Sequence, residues 1–147
     1  MSRLSSSNDQ TQLSFLNNWL DTHIRDAQYL LGKPLLITEF GKSWKDPGFN
    51  TYQRDLLFNT VYYKVYSSAK RGGPAAGGLF WQLLTEGMSS YGDGYAIVLS
   101  ENPSTASVIA QQSHKLNLIR KIFERRKNVY WWKRAMAARN KGRRIGN

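Results

Sequence analysis

The chain has 147 residues, 41% of them hydrophobic and 21% charged, which is typical of one globular domain with its own core. It has no cysteine and only two histidines, so disulfides, thiol catalysis and histidine-rich or thiolate metal sites are excluded. Residues 1–114 hold nine basic and nine acidic side chains, so the net charge of +11 comes entirely from residues 115–147. The predicted folded part is therefore neutral.

The N-terminal part of the sequence predicts a leader followed by a helix. Residues 1–12 are small and polar, which indicates a leader without packed structure. Apolar residues then recur at spacings of three and four, which predicts one face of a helix of about five turns. These residues are Leu13, Leu16, Leu20, Ile24, Ala27 and Leu31. Gly32 is a C-terminal stop, and Pro34 prevents continuation. His23, beside the stripe, is interpreted as a boundary residue without a function.

A βαβ unit is predicted next. The apolar run at residues 35–40 indicates a buried strand, and Asn50 or Thr51 can cap a second helix that ends before Gly72. A second buried strand is predicted at residues 77–84, with leading glycines that allow close packing of helix on strand. The spacing of strand, helix and strand requires parallel pairing. The inward side chains of the helix are predicted to be Phe58, Val61, Tyr62, Val65 and Ala69.

A long loop at residues 85–100 carries several glycines and tyrosines, and long loops of this kind are more often functional than incidental. A third helix is predicted from Ser104, and residues 128–132 are predicted to dock on the folded body. Residues 133–147 have few apolar side chains, which predicts a mobile basic tail. The apolar face of the third helix comprises Val108, Ile109, Gln112, Leu116, Ile119 and Phe123.

The element order predicts an α/β protein that is incomplete. Two parallel strands do not form a stable sheet with two covered faces. The order helix, strand, helix, strand, helix is instead typical of the closing portion of a larger alternating α/β array.

Two side chains at the predicted strand ends indicate carbohydrate chemistry. Glu39 lies where the first strand opens into a loop, and Trp81 lies near the end of the second. In alternating α/β folds the carboxyl ends of strands carry the ligand site. An indole ring packs against the C–H face of a sugar, and a carboxylate attacks its anomeric carbon. The alternatives are a Glu39–Lys42 ion pair and a purely structural Trp81.

Several motifs in order then resemble plant-type endo-β-1,4-mannanases of glycoside hydrolase family 5, from about Leu13 to Trp132. The motifs are Phe15-Leu16-Asn17-Asn18-Trp19-Leu20, Thr38-Glu39-Phe40-Gly41-Lys42-Ser43, Gly77-Gly78-Leu79-Phe80-Trp81-Gln82-Leu83, Asp93-Gly94-Tyr95, Gln111-Gln112-Ser113 and Leu118-Ile119-Arg120. The resemblance implies that residues 13–132 form the last two β/α units of a TIM (β/α)8 barrel. It also implies hydrolysis of β-mannan with retention, Glu39 as the nucleophile, Trp81 as the ring under the reacting sugar, and no cofactor or metal.

The sequence departs from this family in one decisive respect. The acid/base glutamate of the family belongs to an Asn-Glu-Pro segment on an earlier strand, and these residues contain no such segment. A complete barrel needs about 250 residues. Asp46, Glu86 and Asp93 are interpreted as solvated loop carboxylates rather than as a replacement acid. We therefore expect the isolated chain to be inactive, as the C-terminal portion of a mannanase.

The basic C-terminal segment supports an alternative of another class. Arginines and lysines interleave with Tyr130, Trp131 and Trp132, which is a pattern able to bind a polyanion such as an acidic polysaccharide or a nucleic acid. No recognised nucleic-acid-binding motif supports the latter. A solvated extension at residues 133–147 is the simpler interpretation.

Localisation is predicted in two ways. No apolar run is long enough to span a membrane, and the first residues are not followed by the apolar segment of a secretory signal. The chain as written is therefore expected to be cytoplasmic. The resemblance implies an extracellular or cell-wall location.

Overall fold

The computed structural model describes the backbone of residues 9–143, with two compact parts that divide between Ser113 and His114. Most of the predicted leader and residues 144–147 of the predicted tail lie outside the described residues. Over the described range, no helix is long and apolar enough to cross a membrane.

The first helix, α1, spans Asp9–Asp26 and continues as a π-helical turn over Ala27–Leu31. It begins inside the predicted leader and ends at Gly32, whose φ of 60° is the left-handed conformation expected of a glycine stop. Leu20 and Ala27 are buried, as predicted, but Leu31 is 66% exposed. The π-helical turn bonds i to i+5 instead of i+4, so it rotates Leu31 away from the apolar stripe.

The predicted βαβ unit is confirmed. Strand β1 spans Leu35–Phe40, helix α2 spans Thr51–Lys70, and strand β2 spans Ala75–Phe80, with β1 and β2 paired in parallel. Asn50 caps α2, since its side chain accepts a hydrogen bond from the Gln53 backbone N–H at 2.9 Å. Strand β2 begins two residues earlier than predicted and ends at Phe80, so that Trp81 lies just beyond it.

The core lies between the sheet and α2. Phe58 and Tyr62 of α2 are buried with Ile97 of the long loop, and Phe40 and Phe80 from the two strands pack against them. The Phe58 ring centroid lies 5.1 Å from that of Phe40 and 5.4 Å from that of Phe80. Offset and edge contacts of this kind add to the free energy gained from burial alone. The last residue of each strand is thereby fixed on α2.

The opposite face of the sheet differs from the prediction of two buried strands. Leu36 of β1 is 49% exposed and Leu79 of β2 is 55% exposed, while Ile37 is buried. In a closed barrel, side chains from other strands fill the interior in layers. The described residues supply only two strands, so the face that such layers would cover stays open.

The third helix, α3, spans Pro103–Arg143 and begins one residue before its predicted start. Within the first compact part, its buried residues are Thr105 and Gln112. In the second part, which begins at His114, residues 128–132 continue the helix. The side chains of Val129 and Tyr130 are more than half exposed there.

A buried arginine joins α2 to the start of α3. Arg54 is 4% exposed, and its Nε donates to Thr105 Oγ1 at 3.2 Å. Its Nη2 donates to Asn102 Oδ1, and the Thr105 hydroxyl in turn donates to Asp55 Oδ1. Burial lowers the pKa of the Arg54 guanidinium, and the charge of Asp55 opposes that shift. This network satisfies a cation that would otherwise be costly to bury.

We predict that Arg54→Met lowers the free energy of unfolding by about 2–3 kcal/mol, because it leaves buried acceptors without their donor. Arg71→Met is the matched control. Arg71 is exposed, so its replacement should change stability by no more than about 0.5 kcal/mol. Urea unfolding followed by circular dichroism measures both variants, and equal midpoints for the two would contradict the prediction.

Candidate active site

The carboxyl ends of β1 and β2 bring the two predicted site residues onto neighbouring chain segments. Phe40 pairs with Phe80 in the sheet register, and the Trp81 backbone N–H donates to the Phe40 carbonyl at 2.9 Å. Glu39 directly precedes Phe40, so it lies one residue away from the hydrogen bond that holds Trp81. This is the juxtaposition that the sequence predicts for adjacent strands of a barrel.

Glu39 has an unusual backbone conformation. Its φ is 58°, and within the described residues it is the one non-glycine residue with positive φ. A side chain in this region costs about 1–3 kcal/mol, and such strain is concentrated at functional sites. The register between β1 and β2 is also irregular between Ile37 and Phe40. The strand therefore bends at Glu39, and the residue is exposed.

The alternative interpretation of Glu39 as half of an ion pair with Lys42 is not supported. Lys42 Nζ donates to Gln12 Oε1 at 3.4 Å instead. Among the described residues, the salt bridges involve other carboxylates, namely those of Asp21, Asp26 and Glu124. The Glu39 carboxylate therefore has no salt-bridge partner in the described part of the chain.

The indole of Trp81 is tethered at its edge. Its Nε1 donates to Asp93 Oδ2 at 2.5 Å, and the side chain is 45% exposed. The peptide bond between Trp81 and Gln82 is cis. Trp81 therefore combines a fixed edge with a substantial exposed surface.

Asp93 is a solvent-exposed loop carboxylate, as predicted, and it is also hydrogen-bonded through both oxygens. Its Oδ1 accepts from the Tyr95 backbone N–H at 3.0 Å, while Oδ2 accepts from Trp81. The Trp81 hydrogen bond, followed by that of Tyr95, lowers the pKa of the Asp93 carboxyl. A general acid needs a raised pKa, so Asp93 has the wrong chemistry for that task. Sequence reasoning missed this role, since its only signal was the Asp93-Gly94-Tyr95 motif.

Glu86, the other loop carboxylate considered, is also engaged. Its Oε1 accepts from Ser100 Oγ at 2.5 Å, and the residue is exposed. Across the described part of the chain, no three histidine, cysteine, aspartate or glutamate side chains cluster as a metal site would require. The strand ends thus carry Glu39, which has no salt-bridge partner among the described residues, and, on the neighbouring segment, the indole of Trp81.

The loops that follow the two strands are bound to each other. The Trp44 N–H of the first loop donates to the Gly94 carbonyl of the second loop at 2.8 Å. Within the second loop, the Ile97 N–H donates to the Gln82 carbonyl at 2.9 Å. Gly41 allows the closest approach, because a Cβ at that position would lie 2.5 Å from the Trp81 carbonyl oxygen. The surroundings of Trp81 are therefore built from both loops.

The aromatic side chains of these two loops differ in their exposure. Trp44 is 58% exposed and Tyr91 is 72% exposed, whereas Tyr95 is 37% exposed. The ring of Tyr95 lies against the backbone of Gly41.

Known proteins resemble the chain along most of its length. It is 59% identical over 138 residues to mannan endo-1,4-beta-mannosidase 7 of Arabidopsis thaliana, which is 94% of this chain and 32% of that protein. It is 55% identical over 143 residues to mannan endo-1,4-beta-mannosidase 1 of Oryza sativa subsp. japonica, which is 97% of this chain and 32% of that protein. No protein-family model matches. The chain spans about one third of the length of these relatives.

A solved structure defines the class of fold. A mutant of the glycoside hydrolase family 5 mannosidase from Rhizomucor miehei aligns with a TM-score of 0.60 and 20% identity, over 74% of this chain and 32% of that one. This likeness concerns the fold: the two β/α units match part of a (β/α) barrel, and the prediction of an incomplete barrel is confirmed. In sequence, the chain is similar to about one third of each of two plant mannan endo-1,4-beta-mannosidases.

We predict that Glu39→Gly is more stable than Glu39→Ala by about 1 kcal/mol, because glycine adopts positive φ without strain. Thr38 is the matched control, being exposed on the same strand. There the order should reverse, since glycine within a strand is less stable than alanine by about 0.5–1 kcal/mol. Thermal unfolding of the four variants measures both differences, and the same order at both positions would refute the assigned backbone strain.

Proposed function

We propose that this chain supplies the nucleophile and the sugar platform of a retaining endo-β-1,4-mannanase. The observation that supports this proposal best is the position of Glu39 at the end of β1, next to the segment that holds the half-exposed indole of Trp81. Among the described residues, the Glu39 carboxylate has no salt-bridge partner. The 59% identity to a plant mannan endo-1,4-beta-mannosidase supports β-mannan, galactomannan or glucomannan as the substrate class.

In this proposal Glu39 acts as the nucleophile of a double displacement. A carboxylate oxygen of Glu39 forms a bond to the anomeric carbon, while the bond from that carbon to the leaving oxygen breaks. The leaving oxygen needs a proton at the same moment. Water later attacks the glycosyl ester and releases the sugar with its original anomeric configuration. Trp81 holds the reacting sugar by packing a ring face against its C–H surface.

The proton donor must come from another part of a mannanase. A retaining mechanism needs a second carboxyl about 5 Å from the nucleophile. Asp93 is unsuited, because its pKa is lowered, and Glu86 is bound to Ser100 at the far end of the same loop. We therefore propose that this chain alone does not turn over mannan. Its relatives are about three times as long, which leaves room for the missing group.

The proposed place of action is outside the cell, in the plant cell wall. The names of the plant relatives support a mannan substrate, and the family that the sequence resembles is secreted.

Covalent labelling tests the role of Glu39 without requiring the missing acid. In 2-deoxy-2-fluoro-β-mannobiosyl fluoride the departing fluoride needs no proton, and the fluorine at C2 slows later hydrolysis. We expect one disaccharide unit to attach to each chain, through a bond from a Glu39 oxygen to C1 that forms as the C1–F bond breaks. Intact-mass spectrometry measures the adduct, and peptide mapping locates it.

Two matched controls accompany this labelling. Glu39→Gln removes the nucleophile and should abolish the adduct, whereas Glu86→Gln should label like the unmodified chain. An adduct on another residue, or none on the unmodified chain, would count against Glu39 as the nucleophile. Release of reducing ends from galactomannan by the unmodified chain would contradict the proposed absence of an acid/base group.

A second candidate function rests on the compact part that begins at His114. Between residues 114 and 133, all seven basic side chains are exposed, and the single acidic one, Glu124, is paired with Arg120 at 3.3 Å. An exposed cationic helix binds polyanions through charge alone. We propose acidic wall polysaccharide as its partner, with nucleic acid as the less favoured polyanion.

This candidate predicts binding that depends strongly on salt. Binding of the chain to polygalacturonate at 50 mM salt should weaken at least about tenfold at 200 mM, because each charge contact releases counterions. Replacing Arg125, Arg126 and Lys127 by glutamine should weaken binding further, whereas Lys70→Gln in α2 should not. Fluorescence anisotropy with labelled polymer measures these changes. Affinity that is independent of salt would contradict the proposal.

A further inference from the structure

Trp81 is held by two hydrogen bonds, one from its backbone and one from its indole, to acceptors on different elements. Its backbone N–H donates to the Phe40 carbonyl of β1 at 2.9 Å, and its Nε1 donates to Asp93 Oδ2 at 2.5 Å. The first hydrogen bond fixes the position of the Trp81 backbone, and the second fixes the orientation of the indole ring. An indole attached to a fixed backbone still rotates about two side-chain bonds. The contact with Asp93 removes that freedom while leaving 45% of the side chain exposed.

Asp93 is itself held rigidly enough to act as an anchor. Its other carboxylate oxygen accepts from the Tyr95 N–H, two residues on, in the manner of an Asx turn. Gly94 has a φ of 107°, and a Cβ there would lie 2.5 Å from Ser43 Oγ. The Gly94 carbonyl accepts from the Trp44 N–H, so the loop is bound to the segment after β1. The carboxylate therefore has a defined position.

A sugar platform benefits from such an anchor for a physical reason. A ring that stacks on a sugar must present one plane, and immobilising a mobile side chain upon binding weakens affinity. A hydrogen bond in the plane of the indole leaves both ring faces free. Because the acceptor is ionised, the bond is stronger than one to a neutral acceptor.

We infer that Asp93 is a positioning residue that fixes the ring plane of Trp81 and thereby sets the affinity of its sugar subsite. This inference rests on the proposed function for the presence of a sugar subsite at Trp81 and for the identity of the sugar. The contact between Asp93 and the indole stands on the geometry alone.

Two measurements on the 147-residue chain test the contact of Asp93 with the indole separately from its effect on sugar binding. The first is the indole Nε1–H resonance of Trp81 in a ¹H–¹⁵N spectrum, identified by its loss in Trp81→Phe. We expect Asp93→Ala to shift this resonance and to speed its exchange with solvent, with a smaller change for Asp93→Asn. Glu86→Ala, which removes a carboxylate from the same loop, should leave it unchanged. Asp93→Asn retains the shape and an acceptor, so it also serves if Asp93→Ala fails to fold.

The second measurement is calorimetric titration with mannohexaose. Asp93→Ala should bind about fivefold to tenfold more weakly than the unmodified chain, and Asp93→Asn should recover part of the loss. Glu86→Ala should bind like the unmodified chain. In a Trp81→Phe background, Asp93→Ala should cause no further loss, because no indole N–H remains to be positioned.

The outcomes are distinguishable. An unchanged Trp81 resonance in both Asp93 variants would overturn the positioning role, and so would unchanged affinity despite a shifted resonance. A loss of affinity in Asp93→Ala that persists in the Trp81→Phe background would also overturn it, since the effect would not pass through the ring. If the unmodified chain binds no mannohexaose, the proposed function fails, while a shifted resonance still supports the contact of Asp93 with the indole.

Discussion

The hydrogen bond from the Trp81 backbone to the Phe40 carbonyl is the constraint on which the candidate site depends. It extends the parallel pairing of β1 and β2 by one step beyond the sheet, at the end where α/β folds carry their chemistry. Glu39 precedes one partner of this bond and the indole belongs to the other. Their proximity is therefore a consequence of backbone pairing, which does not require either side chain to attract the other.

The aromatic core stabilises the last pair of the β1–β2 register, Phe40 with Phe80. Phe40 and Phe80, the final residues of the two strands, pack against Phe58 of α2 with ring centroids 5.1 and 5.4 Å away. Burial of these rings fixes both strand ends on one helix. The strain at Glu39, of about 1–3 kcal/mol, is tolerated because the residue next to it is so firmly packed. The packed rings therefore lie beneath the candidate site, and the strained backbone of Glu39 lies at its surface.

The three carboxylates near the strand ends differ in their hydrogen-bond and salt-bridge partners. Asp93 accepts from an indole and a backbone amide, which lowers its pKa and keeps it ionised. Glu86 accepts from a serine hydroxyl, and Glu39 has no salt-bridge partner in the described residues. These partners are the reason that we propose Glu39 as the reacting carboxylate and Asp93 as the one that positions the indole of Trp81.

The sequence by itself determined the elements, because helix caps, stops and apolar spacing act over a few residues. Asn50 and Gly32 mark helix ends in the structure as they do in the sequence, and the two parallel strands follow from the spacing between apolar runs. Only the tertiary structure decided the positive φ of Glu39 and the contact of Asp93 with Trp81. Each of these depends on backbone strain or on packing between segments distant in sequence, for which local residue patterns carry no signal.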